Sequence, residues 1–158
     1  MNILNVFMVI IPVLLSSAFA YYVSKFQVKS QLSSINKQKW IDEFRENLAC
    51  FLSSADMAMV MTDIALTGDR MVEPGTARKL FQEHVSKMSL YEERLLLYLD
   101  SENNKHHELL KYVTSFAYEV YTRPNNLLEK ETVKDHVVNI RKLGREISNL
   151  EWKSILNS

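Results

Sequence analysis

Ile3 to Val23 is a single apolar run interrupted only by Asn5, Pro12, Ser16 and Ser17, and no charged side chain precedes Lys25. Crossing the hydrocarbon core of a bilayer takes about 20 residues of helix, so a run of this length can be a permanent transmembrane helix, a cleaved secretory signal or a helix buried in a protein core. A core helix keeps a polar face, and this run has none. Ala18-Phe19-Ala20 has the small-x-small form of a cleavage site, but a signal peptide carries its positive charge ahead of the apolar core. Here the lysines follow it, at Lys25, Lys29, Lys37 and Lys39. The sequence therefore predicts a single-pass anchor in the inner (cytoplasmic) membrane, with the N-terminus outside and the remainder in the cytoplasm by the positive-inside bias. Tyr21, Tyr22 and Phe26 stand where the helix leaves the lipid, a level that amphipathic aromatic rings favour. Pro12 is tolerated within a lipid-embedded helix.

The expected organisation is an anchor over residues 1–26, a basic and helical linker over 27–37, and one cytosolic domain over 38–158. About 130 of the 158 residues follow the anchor, enough for one hydrophobic core and too few for two comfortable ones. With 3 Gly and 3 Pro in the chain, there are few places to turn, which favours long helices. The net charge is zero but unevenly spread: residues 38–100 hold 7 basic and 11 acidic side chains, residues 123–158 hold 7 basic and 5 acidic. A neutral chain of this kind does not offer the strongly basic face that duplex nucleic acid requires. The single Cys50 forms no disulfide within the chain, agrees with a reducing compartment, and reads as a buried small hydrophobe among apolar neighbours.

Between Val13 and Leu66 there is neither glycine nor proline, so the membrane helix is expected to run on into the cytoplasm. Trp40, Ile41, Phe44, Leu48, Phe51, Leu52, Ala55, Met59 and Ile64 recur at helical steps, opposite Asp42, Glu43, Arg45 and Glu46. Leu48 to Leu66 is apolar enough to suggest a second span, but Asp56 and Asp63 would each cost about 3 kcal/mol near a bilayer centre, and the segment reads as cytosolic. Gly68, Pro74 and Gly75 punctuate the chain. A second helix is expected after them, with Thr76 as N-cap and Ala77, Leu80, Phe81, Val85, Met88, Tyr91, Leu95, Tyr98 and Leu99 as its apolar stripe. Asp100-Ser101-Glu102-Asn103-Asn104 is rich in capping residues. A third helix carries Leu109, Val113, Phe116, Ala117 and Val120 and stops at Thr122, ahead of Pro124. The last carries Val133, His136, Ile140, Leu143, Ile147 and Leu150 in alternating steps of three and four, a heptad seam able to pair with a partner chain or with its own core. Trp152 and Ile155 extend that surface. The fold class is all-α: an N-terminal transmembrane helix followed by a cytosolic antiparallel helical bundle.

Enzyme signatures are absent. There is no phosphate-cradling glycine loop, no HExxH, no CxxC and no serine in a nucleophile elbow. The four histidines, His84, His106, His107 and His136, do not form the paired Glu-x-x-His motifs of a di-metal bundle, and no cofactor or metal is expected. His136, on the seam, reads as a satisfied core or interface histidine. Two places can hold an anion. Lys105, His106 and His107 fall where the third helix begins, with free N–H groups and the positive end of its dipole. On the last helix Arg141 and Arg145, with Lys134, lie on one side at steps of four and seven. The alternative for both is an ordinary capping loop and a solvated helix face. Tyr112 and Phe116 are spaced to stack a base, a spacing core residues share.

Lys37-Gln38-Lys39-Trp40-Ile41-Asp42-Glu43-Phe44-Arg45-Glu46 after a span and basic linker, and later Leu97-Tyr98-Leu99-Asp100 running into His106-His107-Glu108-Leu109-Leu110, resembles small bacterial membrane-anchored helical proteins over most of the chain. In size and layout it is similar to the small membrane effectors of type III CRISPR defence. The resemblance implies a cytosolic helical domain that binds cyclic tetra-adenylate and a membrane segment that disrupts the cell. It supplies no ligand residues position by position.

The function expected is a membrane-anchored sensor, not an enzyme, that binds a small anionic nucleotide messenger and works as a homo-oligomer, a dimer or tetramer. An oligomer would bring copies of Lys105, His106, Arg141 and Arg145 around one axis and so give a neutral chain a positive pocket. The rival expectation is a membrane anchor or scaffold that binds a protein partner through its acidic first half.

Overall fold

A computed structural model describes residues 3–67, 73–122 and 130–156, giving the helix path alone over 3–20. The described chain is helical: α1 (Ile3–Thr67), α2 (Pro74–Tyr98), α3 (Asn104–Thr122) and α4 (Lys130–Leu156), with no strand among the described residues. Helix α1 is continuous for 65 residues, through Pro12 and across the expected boundaries at 26 and 37. The side chains of residues 3–20 and of Phe26, together with Gly68 and Pro124, lie outside the described residues.

The domain is organised by one stripe on α1. Ile41, Phe44, Leu48, Phe51, Ala55, Ala58 and Met61 are all buried, and each step is three or four residues, so one side of the helix faces protein for nearly six turns. Onto it pack Met88, Leu95 and Leu99 of α2, Leu109, Val113, Phe116, Ala117 and Val120 of α3, and Ile140, Leu143 and Ile147 of α4. The small Ala55 and Ala58 are part of this shared core. Burying one such Leu, Ile or Phe is worth about 1.5–3 kcal/mol, which identifies this core as the main source of order in the domain. The central steps of the Leu48 to Leu66 segment are thus core positions, while Met57, Val60 and Leu66 remain exposed.

Side-chain contacts give the helix directions. Leu48 lies against Gly144 and Lys37 Nζ donates to Ser154 Oγ at 3.2 Å, so α4 runs opposite to α1. Tyr98 donates to Glu43 at one end of α2, while Tyr121 donates to Glu92 at 3.0 Å. Helix α2 therefore runs opposite to both α1 and α3. Phe51 meets Phe116 edge-on at 6.2 Å and Trp40 stacks on His106 at 6.1 Å, which makes α1 and α3 parallel. Among the described residues, α2 and α4 make no close backbone approach to each other.

The ends of the helices are fixed locally. The N-cap of α2 is Glu73, not Thr76: Pro74 follows at the first helical position, where its fixed φ is already helical, and the Glu73 carbonyl accepts from Thr76 and Ala77 at 2.9 and 3.0 Å. Thr76 lies inside the first turn. At α3, Asn103 Oδ1 accepts the Lys105 N–H at 3.0 Å and its carbonyl accepts from His107 at 2.9 Å, an N-cap of ordinary geometry. On α4 the heptad seam turns inward: Ile140, Leu143 and Ile147 are buried within the chain, and Leu150 is left exposed.

Candidate functional site

The candidate residues separate into three places. Lys105 pairs with Glu146 of α4, and that pairing holds the Glu146 carboxyl below its ordinary range. His106 is buried between Trp40 and the turn before α3. Its Nδ1 accepts the Asp100 N–H at 3.1 Å, and burial, the largest influence on it, pushes its pKa down. An imidazole that accepts at Nδ1 and is kept neutral by desolvation braces the α2–α3 turn. His107 is exposed on the outer side of α3, where it lines a shallow depression with Lys111 and Tyr118. The three residues that open α3 therefore point to a partner helix, to the core and to solvent.

Arg141 and Arg145 do come together, and with a residue that periodicity alone places on a solvated face. Arg45 of α1 joins them in a groove of about 520 Å³ between α1 and α4, whose other lining residues are Leu48, Ala49, Leu52, Ser53, Asp56 and Val137. Along α1 these lining positions are 45, 48, 49, 52, 53 and 56, one side of a helix at steps of three and four. Arg141 and Arg145 are one turn apart on α4 and meet that side because Gly144, between them, has no side chain: a Cβ there would collide with Cδ2 of Leu48. The Leu48 side chain thus takes the space beside Gly144 and forms the groove wall there. Among the described residues none of the three guanidiniums is held in an ion pair. Three cations around an open, partly apolar groove create a positive potential where an acceptor-rich group can take several N–H donors in forked geometry.

No family model, curated protein or solved structure matches this chain, so the groove is interpreted through its own chemistry.

Two other polar clusters carry no signal in the sequence pattern. His136 does lie in the α3–α4 interface, with its ring stacked on Phe116 at 5.7 Å and Nε2 3.3 Å from Glu119 Oε1. Among the described residues its Nδ1 and Glu119 Oε2 are buried without partners, so within that set the histidine expected to be satisfied is only half so. Near the free end of the domain, Tyr121 donates to Glu92. Burial chiefly raises both groups, the tyrosine to about 12. Cys50 is partly buried beside Tyr91, whose hydroxyl is held above its ordinary value first by a hydrogen bond with that thiol. No group of three or more His, Cys, Asp or Glu side chains converges among the described residues.

Proposed function

We propose that this chain is a membrane-anchored, non-catalytic sensor whose cytosolic helices form an antiparallel bundle and bind a small phosphate-bearing messenger of the nucleotide class between α1 and α4. The observation that carries the reading is the convergence of Arg45, Arg141 and Arg145 on one groove, without ion-pair partners among the described residues. Arg45 belongs to α1, the one helix among the described residues that is long and apolar enough to cross a membrane, and that helix continues unbroken to Ile3. A ligand that draws Arg45 towards Arg141 and Arg145 acts directly on the element that enters the lipid. Assembly as a dimer or tetramer belongs to the same proposal, because a lone span with few polar groups cannot line a pore. Val28, Leu32 and Ile35 leave 51%, 56% and 60% of their surface exposed on the membrane-proximal part of α1, at steps of four and three suited to pairing. Lys105, His106 and His107 drop out of the proposed ligand set on the contacts described above.

The test is thermal unfolding of the full chain in detergent at fixed salt, with inorganic phosphate, mononucleotides and cyclic nucleotides including cyclic tetra-adenylate. A ligand present at 100 times its dissociation constant adds about 2.7 kcal/mol of stability. Arg141→Glu with Arg145→Glu is expected to abolish the shift with helical content retained, whereas Lys105→Ala leaves it in place. Absence of a shift with every phosphate-bearing ligand overturns the reading in favour of the anchor or scaffold.

A further inference from the structure

We propose that the ligand of the α1–α4 groove is a guanine nucleotide, its phosphate held by Arg45, Arg141 and Arg145 and its base edge by Asp56. The inference rests on reading the groove as a phosphate site and adds the identity of the base, which differs from the adenine implied by the resemblance noted above.

The groove has two chemically different ends. Leu48 lies against Gly144 and Lys37 reaches Ser154, so Arg145 is level with Arg45 to within about one turn, Arg141 is about 6 Å farther along, and Asp56 is about 16 Å from Arg45, beyond both. Leu48 and Ala49 lie level with the arginines, and between Arg141 and Asp56 the lining is Leu52, Ser53 and Val137, two apolar walls that suit a sugar and a flat ring and one hydroxyl that can bond to a sugar oxygen. A cationic end, a mostly apolar middle and an acceptor end match a nucleotide lying lengthwise. Repulsion between Asp56 and phosphate fixes which way round it lies.

Asp56 selects among bases because an ionised carboxylate only accepts hydrogen bonds. It makes no ion pair among the described residues and is exposed to the groove's solvent. Adenine and cytosine each present one amino group beside a ring nitrogen that is itself an acceptor, so one carboxylate oxygen faces a lone pair. Uracil flanks its single N–H with two carbonyls. Guanine presents N1–H and the N2 amino group side by side, and both oxygens are used at once in charge-assisted bonds.

Isothermal titration of the full chain in detergent at fixed salt, with GMP, AMP, UMP and inorganic phosphate, tests this on the wild type and on Asp56→Asn. The wild type is expected to bind GMP about tenfold to a hundredfold more tightly than AMP. Asp56→Asn, a change at an exposed position, should remove that preference without weakening the binding of inorganic phosphate, since it takes away a negative charge. Equal binding of GMP and AMP to the wild type, or an unchanged ranking in the variant, overturns the base assignment and leaves the phosphate groove standing. If neither phosphate nor any nucleotide binds, the groove reading falls and the base assignment falls with it.

Discussion

At the scale of single residues, His106 separates a structural role from a ligand role. Its Nδ1 accepts the Asp100 N–H, which only the unprotonated ring can do, and burial lowers its pKa below the ordinary value of 6.5. The unfolded chain therefore binds a proton at His106 at a higher pH than the folded chain does. Between 6.5 and the lower folded value, the unfolded state holds more protons, so this residue's contribution to stability is complete above 6.5 and is lost as pH falls. Glu92 works in the opposite sense: burial raises its carboxyl above 4.5, so the protonated form favours the fold and its contribution weakens as pH rises through that range. The difference between wild type and His106→Gln isolates the histidine. The wild type should lose melting temperature from pH 7.5 to 5.5 more steeply than the variant, because the amide does not titrate; parallel slopes would refute the assignment. The sequence does hold a signal for this placement. His106 lies three residues before Leu109 on the stripe that continues through Val113, Phe116 and Val120, so periodicity assigns it to the core while its neighbours Lys105 and His107 draw attention to charge.

At the scale of elements, Gly144 decides how closely α1 and α4 approach. A methyl group there would collide with Leu48, whose side chain is both core and groove wall. Alanine in mid-helix gains about 1 kcal/mol over glycine, against about 1–3 kcal/mol for overpacking, so Gly144→Ala should lose about 1 kcal/mol net. Adding Leu48→Ala removes the obstructing atoms, and the double variant should be more stable than the sum of the two single changes predicts, by about 0.5–3 kcal/mol in a double-mutant cycle. Strict additivity would show that the two side chains do not meet. Most of the helices are legible in the sequence, because each carries an apolar stripe at steps of three and four and the boundaries carry proline or asparagine. The miss at Thr76 has a local cause: Pro74 fixes the first helical φ and leaves Glu73 as the cap. Half of the groove is legible as well, since Arg141 and Arg145 share a face of α4. Arg45 is not, because it sits among Asp42, Glu43 and Glu46, and its groove exists only where α4 crosses. The pairing of Lys105 is hidden for the same reason, as its partner Glu146 lies on another helix and no spacing within α3 indicates it.

At the scale of the whole molecule, the proposed membrane anchor requires α1 to serve two solvents. Over residues 3–23 its sequence has no charge, and from Ile41 onward one side is buried in protein. Between them the helix carries Lys25, Lys29, Lys37 and Lys39, with no acidic residue before Asp42. Tyr21 and Tyr22 are 66% and 72% exposed, and under the proposed anchor they would stand at the interface level that aromatic rings favour. Residue 38 is about 22 Å of helix beyond Val23, and the proposed topology would put it clear of the headgroups on the side where the positive-inside bias places the lysines. Single cysteines on a Cys50→Ala background therefore give opposite outcomes in spheroplasts treated with a membrane-impermeant maleimide. Asn2→Cys should react in intact spheroplasts, and Gln38→Cys only after permeabilisation. Labelling of Gln38→Cys from outside reverses the topology and removes any cytosolic messenger from reach of Arg45, Arg141 and Arg145. Failure of both positions to label before permeabilisation, with the protein recovered in the soluble fraction, returns residues 3–23 to a protein interior and ends the membrane reading altogether.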